Sequence, residues 1–351
     1  LFCLALPALC AAQTAGADAT SYLNRALDEM QARSLRRNQI DWPRLRRETL
    51  ARAEHAELTV DTYDAIRFAL ARLEDGHSSF HPTPALEKLE AERKAKRPQP
   101  PPSPEPESPP SSPFVGRNEP EGRLVTIDGK TFPLVVVSKC FVENERQFVA
   151  YASQLQRIIA ELHREHPTGW IVDLRGNVGG NMWPMLAGIG PLVGESDRLG
   201  GFLTLDSRSD WSYRKGVAAE IENGKRNAYP AVAGAPYKLA AAPRIAVLID
   251  RRTGSSGEAV AIAFRGRPDT RFFGEHTEGE STANRDIALS DGAVIWLTVG
   301  VDTDRTGRQY LNGFDPDEMV PGGEQILPDD QDPAVQAAFR WLSRPDSRSH
   351  K

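Results

Sequence analysis

Residues 244–264, RIAVLIDRRTGSSGEAVAIAF, decide how the chain is read. The run Ile245–Ile249 is short, unbroken in its apolar character and closed by charge, which predicts a strand buried on both faces. Ala259–Phe264 is apolar nearly all round and predicts a buried helix. Between them lies Thr253-Gly254-Ser255-Ser256-Gly257, a turn that sets two serines where a strand ends and a helix begins. A helix N-terminus presents free N–H groups and positive partial charge. A hydroxyl there can attack a carbonyl while neighbouring amides hold the developing oxyanion. The same spacing has a structural reading, because Ser255 followed three residues later by Glu258 is a capping box. The nucleophile elbow of the α/β-hydrolases needs glycine two before and two after its serine, and Gly254-Ser255-Ser256-Gly257 meets that from neither serine.

Working outward, the pattern repeats. GWIVDLR (169–175) predicts a second buried strand, followed by Gly176-Asn177-Val178-Gly179-Gly180-Asn181 and the helical stretch to Val193. Glycines at a strand end let another backbone approach, so this turn suits a phosphate or an oxyanion, and the Lys-Ser/Thr ending of a phosphate loop is missing. GRLVTIDGKTFPLVVVS (122–138) carries Asp128-Gly129 between apolar arms, a hairpin signal. Residues 143–165 form an amphipathic helix, and 293–301 a further strand. Strands alternating with helices give an α/β fold for a core over 123–345.

The N-terminal half reads differently. Residues 21–37, 42–56 and 60–74 carry apolar residues at three- and four-residue spacing and predict three helices in a small unit over 17–96, ending on Asp75-Gly76-His77-Ser78-Ser79-Phe80. Residues 97–122 are rich in proline, without apolar periodicity, and predict an extended linker. Residues 1–16 read as a truncated signal peptide, which predicts a periplasmic or secreted protein with no membrane span once the leader is removed. Cleavage near Ala12 would take Cys3 and Cys10 with it and leave Cys140, at the end of an apolar run, as a buried inert thiol. A formal net charge of −5 argues against nucleic acid as a partner. No His/Cys spacing suits a metal.

DLRGNVGGN (173–181), TGSSGE (253–258) and FFGEHTEGES (272–281), in that order and with DGHSSF (75–80), resemble the C-terminal-processing, or tail-specific, serine peptidases and their tricorn-core relatives over about 123–320. The resemblance implies a ClpP/crotonase-like spiral core preceded by a helical unit, no cofactor, and a peptide or protein substrate. It implies Ser255 as nucleophile, Glu258 as its companion three residues on, and an oxyanion hole from the amides of Ser256 and of Gly179 or Gly180. Thr277 and Asn181 fall where substrate contacts are expected.

The chain departs from the family at two places. Many members use a lysine base, and that position is Glu280 here, so the Ser-Lys mechanism is ruled out; a serine without a base is barely nucleophilic. The tricorn-like arrangement uses an earlier histidine, which makes His77 the expected general base, with Asp75, Glu280 or Asp315 to orient it and His276 as the next histidine to test. The PDZ module common in the family is absent, its place taken by the Pro-rich linker. Two other functions stay open on these residues: a peptidase-like binding protein without turnover, and an esterase on the same serine.

Overall fold

The computed structural model describes residues 19–96, 118–322 and 327–345. The leader 1–16 and most of the linker 97–122 lie outside the described residues. The chain divides into two compact units, Leu1–Ser111 with Ala283–Gly300, and Ser112–Thr282 with Val301–Lys351.

The first unit opens with α1 (Ala19–Arg33), α2 (Trp42–Arg52) and α3 (Tyr63–Ala71), the helices expected from the spacing. Asp41 caps α2 by accepting the Arg44 N–H, and Pro43 sits in the first turn, where its missing N–H costs nothing. Glu74 and Gly76 take left-handed backbone and turn the chain into β1 (Ser79–His81). The charged stretch that follows is a helix, α4 (Pro84–Lys96), held by ion pairs of Arg93 with Asp61 and Arg67 with Glu90.

The second unit starts with β2 (Glu121–Ile127) and β3 (Lys130–Val136), joined at Asp128 and Gly129, both with positive φ as a type I′ hairpin turn requires. Then come α5 (Glu145–Leu162), β4 (Gly169–Asp173), α6 (Met182–Val193), a meander β5 (Ser196–Thr204), β6 (Arg208–Arg214), β7 (Val217–Glu222) and β8 (Lys225–Ala228), β9 (Arg244–Ile249), α7 (Ser256–Phe264) and β10 (Thr270–Gly274). The chain next forms β11 (Thr282–Ala288) and β12 (Val294–Asp304), and closes with β13 (Gln309–Tyr310), β14 (Glu318–Met319) and α8 (Pro333–Leu342).

One sheet of the second unit runs β14-β10-β9-β4-β3-β2. Its β10, β9, β4 and β3 are parallel, with Val172 opposite both Val247 and Val135. Parallel strands are covered on both faces, and here α5, α6 and α7 cover one face while α8 packs on the other. The fold is α/β with a helical N-terminal region, as the sequence implies. The meander β5–β8 is an antiparallel addition that the sequence reading leaves unassigned.

The segment Ala283–Gly300, expected within a continuous core, belongs by its contacts to the first unit. Ile287, Leu289, Ile295 and Leu297 are buried with Leu23, Leu27, Met30 and Ile66, and β12 pairs with β1 through Ser79 and Trp296. Tyr22 and Tyr63 both donate to the Asp291 carboxylate, at 2.8 and 2.6 Å, fixing the turn between β11 and β12. Among the described residues, no helix is long and apolar enough to cross a membrane, and no group of His, Cys, Asp and Glu has the arrangement to hold a metal.

Candidate active site

The C-terminal ends of β4 and β9 carry the two turns singled out in the sequence, and their hydrogen bonds lock them together. Arg175 is buried between Asp173 and Asp332, with bonds of 2.8 to 3.0 Å. Asp332 also caps α8. Charge-assisted, two-pronged pairing of this kind fixes the end of β4 against rotation. The buried Asp250 carboxylate accepts the Gly176 N–H at 3.0 Å and the Arg252 N–H at 3.1 Å, so each turn is braced on the other. Burial raises the Asp250 pKa above the ordinary carboxylate range, against the bonds it accepts.

Asn177 is the centre of this brace. Its carbonyl accepts the Gly254 N–H at 3.0 Å. Its side-chain amide donates to the Val137 and Ser138 carbonyls at 2.9 and 3.2 Å, while its Oδ1 accepts the Gly179 N–H at 2.9 Å. The sequence reading passed over Asn177. Its only signal was its place inside a glycine-rich turn, where a buried Asn can satisfy backbone groups that no strand or helix reaches.

That last bond separates the two glycines offered for the oxyanion hole. The Gly179 amide is committed to Asn177, whereas among the described residues the Gly180 amide has no protein acceptor. The Gly180 carbonyl accepts the Ser256 hydroxyl at 2.6 Å, which brings Gly180 beside the first turn of α7. Cys140 pairs with this turn, its N–H donating to Gly179 O at 3.0 Å and its carbonyl accepting from Asn181 N at 2.7 Å. The Cys140 thiol is buried and pushed up to about 12, inert as expected. Gly180 has φ +110°, and a Cβ there would run into the Cys140 carbonyl.

Ser255 lies at the junction of β9 and α7 with φ 49° and ψ −121°, backbone that L-residues adopt at a cost. A Cβ on Gly179 would lie 2.8 Å from the Ser255 Cβ and 3.0 Å from the Ser256 nitrogen, so only glycine leaves room beside the serine. The capping-box spacing is realised from the Glu258 side. The Glu258 carboxylate accepts the Ser255 N–H at 3.1 Å, and the Ser255 hydroxyl makes no cap hydrogen bond.

Glu258 is fully buried and has further donors: the Thr277 hydroxyl at 2.6 Å and the Gly279 N–H at 3.1 Å. Burial pushes its carboxyl up to about 7, and these donors, with the Glu280 and Ser255 backbone, work against that rise. Thr277, expected as a substrate contact, is instead a buried support. Its hydroxyl donates to Glu258 and accepts the Phe314 N–H at 3.0 Å. The Asn181 side chain, expected in the same role, is turned to the N-terminus of α6, where it accepts the Trp183 N–H at 3.0 Å.

Glu280, expected in the place of the family lysine, is half-buried and pushed up to about 7, first by burial and then by the charges of Glu278 and Glu258. Glu278 has its carboxylate against the Cα face of Gly254. Buried Asp302, whose N–H donates to Ser281 O at 3.1 Å, is also raised well above the ordinary range by burial and by Glu258. Glu258, Glu278, Glu280 and Asp302 thus form an acidic cluster, with the charge of Arg252 bearing on Glu278.

His276 does not suit the reserve role of general base. Its Nδ1 lies 2.8 Å from Asp315 Oδ1 and its Nε2 lies 3.0 Å from the Asn312 carbonyl, so both ring nitrogens are engaged. Asp315 is therefore committed to His276.

His77 belongs to the first unit. The Asp75 carboxylate accepts the His77 N–H at 3.2 Å and the Ser78 N–H at 2.8 Å, which shapes the turn, and Asn284 donates to the His77 carbonyl at 3.1 Å. Burial lowers the His77 pKa below the ordinary imidazole value, with the Asp75 charge opposing. The ring is accordingly neutral at pH 7, the state a base needs. The charge of Asp75, in the same turn, bears on the ring.

Fold and site together define a class: an α/β peptidase-type core, with a strand-turn-helix serine beside a glycine turn, and a helical N-terminal region. The model of peptidase family S41 matches residues 141–320, and the chain belongs to that family. A nisin-resistance protein of Lactococcus lactis subsp. lactis is 36% identical over 191 residues, an alignment that spans 53% of this chain and 55% of that one. Among solved structures, a lipoprotein from Streptococcus agalactiae has a TM-score of 0.66 at 22% identity, covering 97% of this chain and 99% of that one. The photosystem II D1 C-terminal processing protease has a TM-score of 0.55 at 18% identity, covering 91% and 96%. These two likenesses bear on the fold.

Proposed function

We propose that the protein is a serine-type peptidase that hydrolyses peptide bonds through an acyl-enzyme on Ser255. The observation that carries this reading is Ser255 itself, held in costly backbone at the junction of β9 and α7 against Gly179, with Gly180 bonded to the adjacent Ser256. In the proposed reaction the Ser255 Oγ attacks the scissile carbonyl carbon and His77 takes the hydroxyl proton. The oxyanion that forms accepts hydrogen bonds from the amides of Gly180 and Ser256. Collapse breaks the C–N bond, His77 returns the proton to the leaving amine, and water, activated in the same way, releases the acyl group and regenerates the hydroxyl.

Glu258 acts as a positioning residue in this scheme, since it holds the Ser255 N–H. The scheme gives the base role to His77 rather than Glu280, whose half-buried carboxyl, pushed up to about 7 by burial and by Glu278 and Glu258, is partly protonated at neutral pH. The names of the Lactococcus and Streptococcus relatives support an exported, envelope-associated protein, and make nisin the first peptide to assay.

The test is covalent labelling by a fluorophosphonate, with the modified peptide identified by mass spectrometry. Modification at Ser255, lost in Ser255→Ala, is the expected result. A wild-type protein that binds peptide but takes no label would favour the binding-protein reading, and turnover of esters without peptides would favour the esterase.

A further inference from the structure

The loop at 311–315 is stitched to the loop at 275–281. Gly313 N–H donates to Ser281 Oγ at 2.9 Å, Phe314 N–H to Thr277 Oγ1 at 3.0 Å, and Thr277 N–H to the Phe314 carbonyl at 3.2 Å. The outermost stitch is His276, whose side chain is 46% exposed and which grips the second loop with both ring nitrogens. A backbone carbonyl only accepts, so Nε2 beside Asn312 carries a proton. An ionised carboxylate also only accepts, so Nδ1 beside Asp315 carries one too. A neutral imidazole can satisfy one of these acceptors, and the imidazolium satisfies both.

What the stitched loops hold is the nucleophile. Thr277 and Gly279 give their donors to one oxygen of Glu258, and the other oxygen holds the Ser255 N–H. We propose that His276, as an imidazolium, is a positioning residue for Ser255: it clasps the two loops so that Thr277 and Gly279 keep Glu258 on the Ser255 amide. This inference rests on the reading of Ser255 as nucleophile.

The electrostatics agree in direction. Burial works against a charge on His276, and the Asp315 bond, the Asn312 carbonyl and the charges of Asp315 and Glu258 outweigh it, raising the pKa above the ordinary imidazole value. Facing the clasp are Asp315 on the 311–315 loop and Glu258 on α7. Arg265, at the end of α7, holds that loop by donating to the Asp315 carbonyl at 2.5 Å and pairing with Asp317 at 2.8 Å. On the histidine's own loop lie Glu275, paired with Arg251 at 2.9 Å, and Glu278 and Glu280. A histidine whose pKa is raised by folding contributes stability that is whole below its unfolded value and is lost as pH rises through the folded one. The clasp therefore loosens on the alkaline side, opposite to the limb set by His77.

The experiment uses the full chain and the second-order rate of fluorophosphonate labelling across pH, which requires no known substrate. Wild type should give a bell whose falling limb lies above the ordinary imidazole range. Asp315→Asn, which removes the charge and leaves an acceptor, should shift that limb to lower pH. His276→Gln should remove it and slow labelling about tenfold or more, the loss of one charge-assisted bond. A His276→Gln protein with the wild-type rate and an unmoved falling limb would overturn the inference.

Hydrogen exchange at the amides of Thr277 and Gly279 separates this outcome from failure of the nucleophile. Faster exchange in His276→Gln supports the clasp even where no label is taken, in which case it is the Ser255 reading that has failed. Exchange unchanged from wild type overturns the clasp.

Discussion

Replacing Ser255 by glycine should abolish function and yet stabilise the protein relative to replacement by alanine. Ser255 is held at φ 49°, ψ −121°, a region in which a side chain costs about 1–3 kcal/mol and glycine almost nothing. Alanine keeps the Cβ and so keeps the strain, while losing only the hydroxyl, which makes no cap bond. Against the relief stands the greater freedom of glycine in the unfolded chain, about 0.4–1 kcal/mol. The net is roughly 1 kcal/mol in favour of Ser255→Gly over Ser255→Ala, equivalent to about 2–4 °C in the melting of a unit of this size. Ser255→Ala itself should lie within about 0.5 kcal/mol of wild type. The measurement is urea and thermal unfolding of the three proteins side by side, with fluorophosphonate labelling as the functional control. If Ser255→Gly melts below Ser255→Ala, the backbone is not strained and the argument that this junction is shaped for a reactive side chain fails.

Other outcomes follow from the same geometry. Gly180→Ala places a Cβ against the Cys140 carbonyl at φ +110°, and should cost about 3 kcal/mol or more, read as a lower urea midpoint, with loss of labelling. His77→Ala should slow labelling by about two orders of magnitude or more, and in wild type the rising limb should sit below the ordinary imidazole value, because burial lowers the His77 pKa; a limb above that value would point to another base. Glu258 binds its proton more tightly folded than unfolded. Its ionisation therefore erodes stability as pH rises from about 4.5 to about 7, by at most about 3 kcal/mol. Glu258→Gln should flatten that part of the stability profile while slowing labelling of Ser255, and an unchanged profile would show that the carboxyl is not the group responsible.

By itself, the sequence determined the elements that bury a continuous or periodic apolar face. The strands 169–173 and 244–249 and the amphipathic helix after Asn144 are legible because local apolar pattern and burial are nearly the same thing there. Ser255 and the glycine turn were legible for a related reason: strand-turn-helix order is local, and only glycine suits φ above +100° at 179 and 180. The meander at 196–228 was not, since its strands are half-exposed and mix charge with apolar residues, so that pairing rather than pattern defines them.

Only the tertiary structure decided which groups are already engaged. Gly179 and Gly180 look alike in the sequence, and the hydrogen bond that the Gly179 N–H donates to Asn177 separates them. Thr277 and Asn181 carry the right chemistry for substrate, but a buried carboxylate engages the first and a helix N-terminus the second. Hairpin 283–300 reads as one more core strand until its apolar face meets Leu23, Leu27 and Met30 of the helical unit. A residue's type and spacing fix what it is able to donate, accept or bury, while which partner it takes depends on groups brought from distant parts of the chain, and only the folded arrangement contains that information.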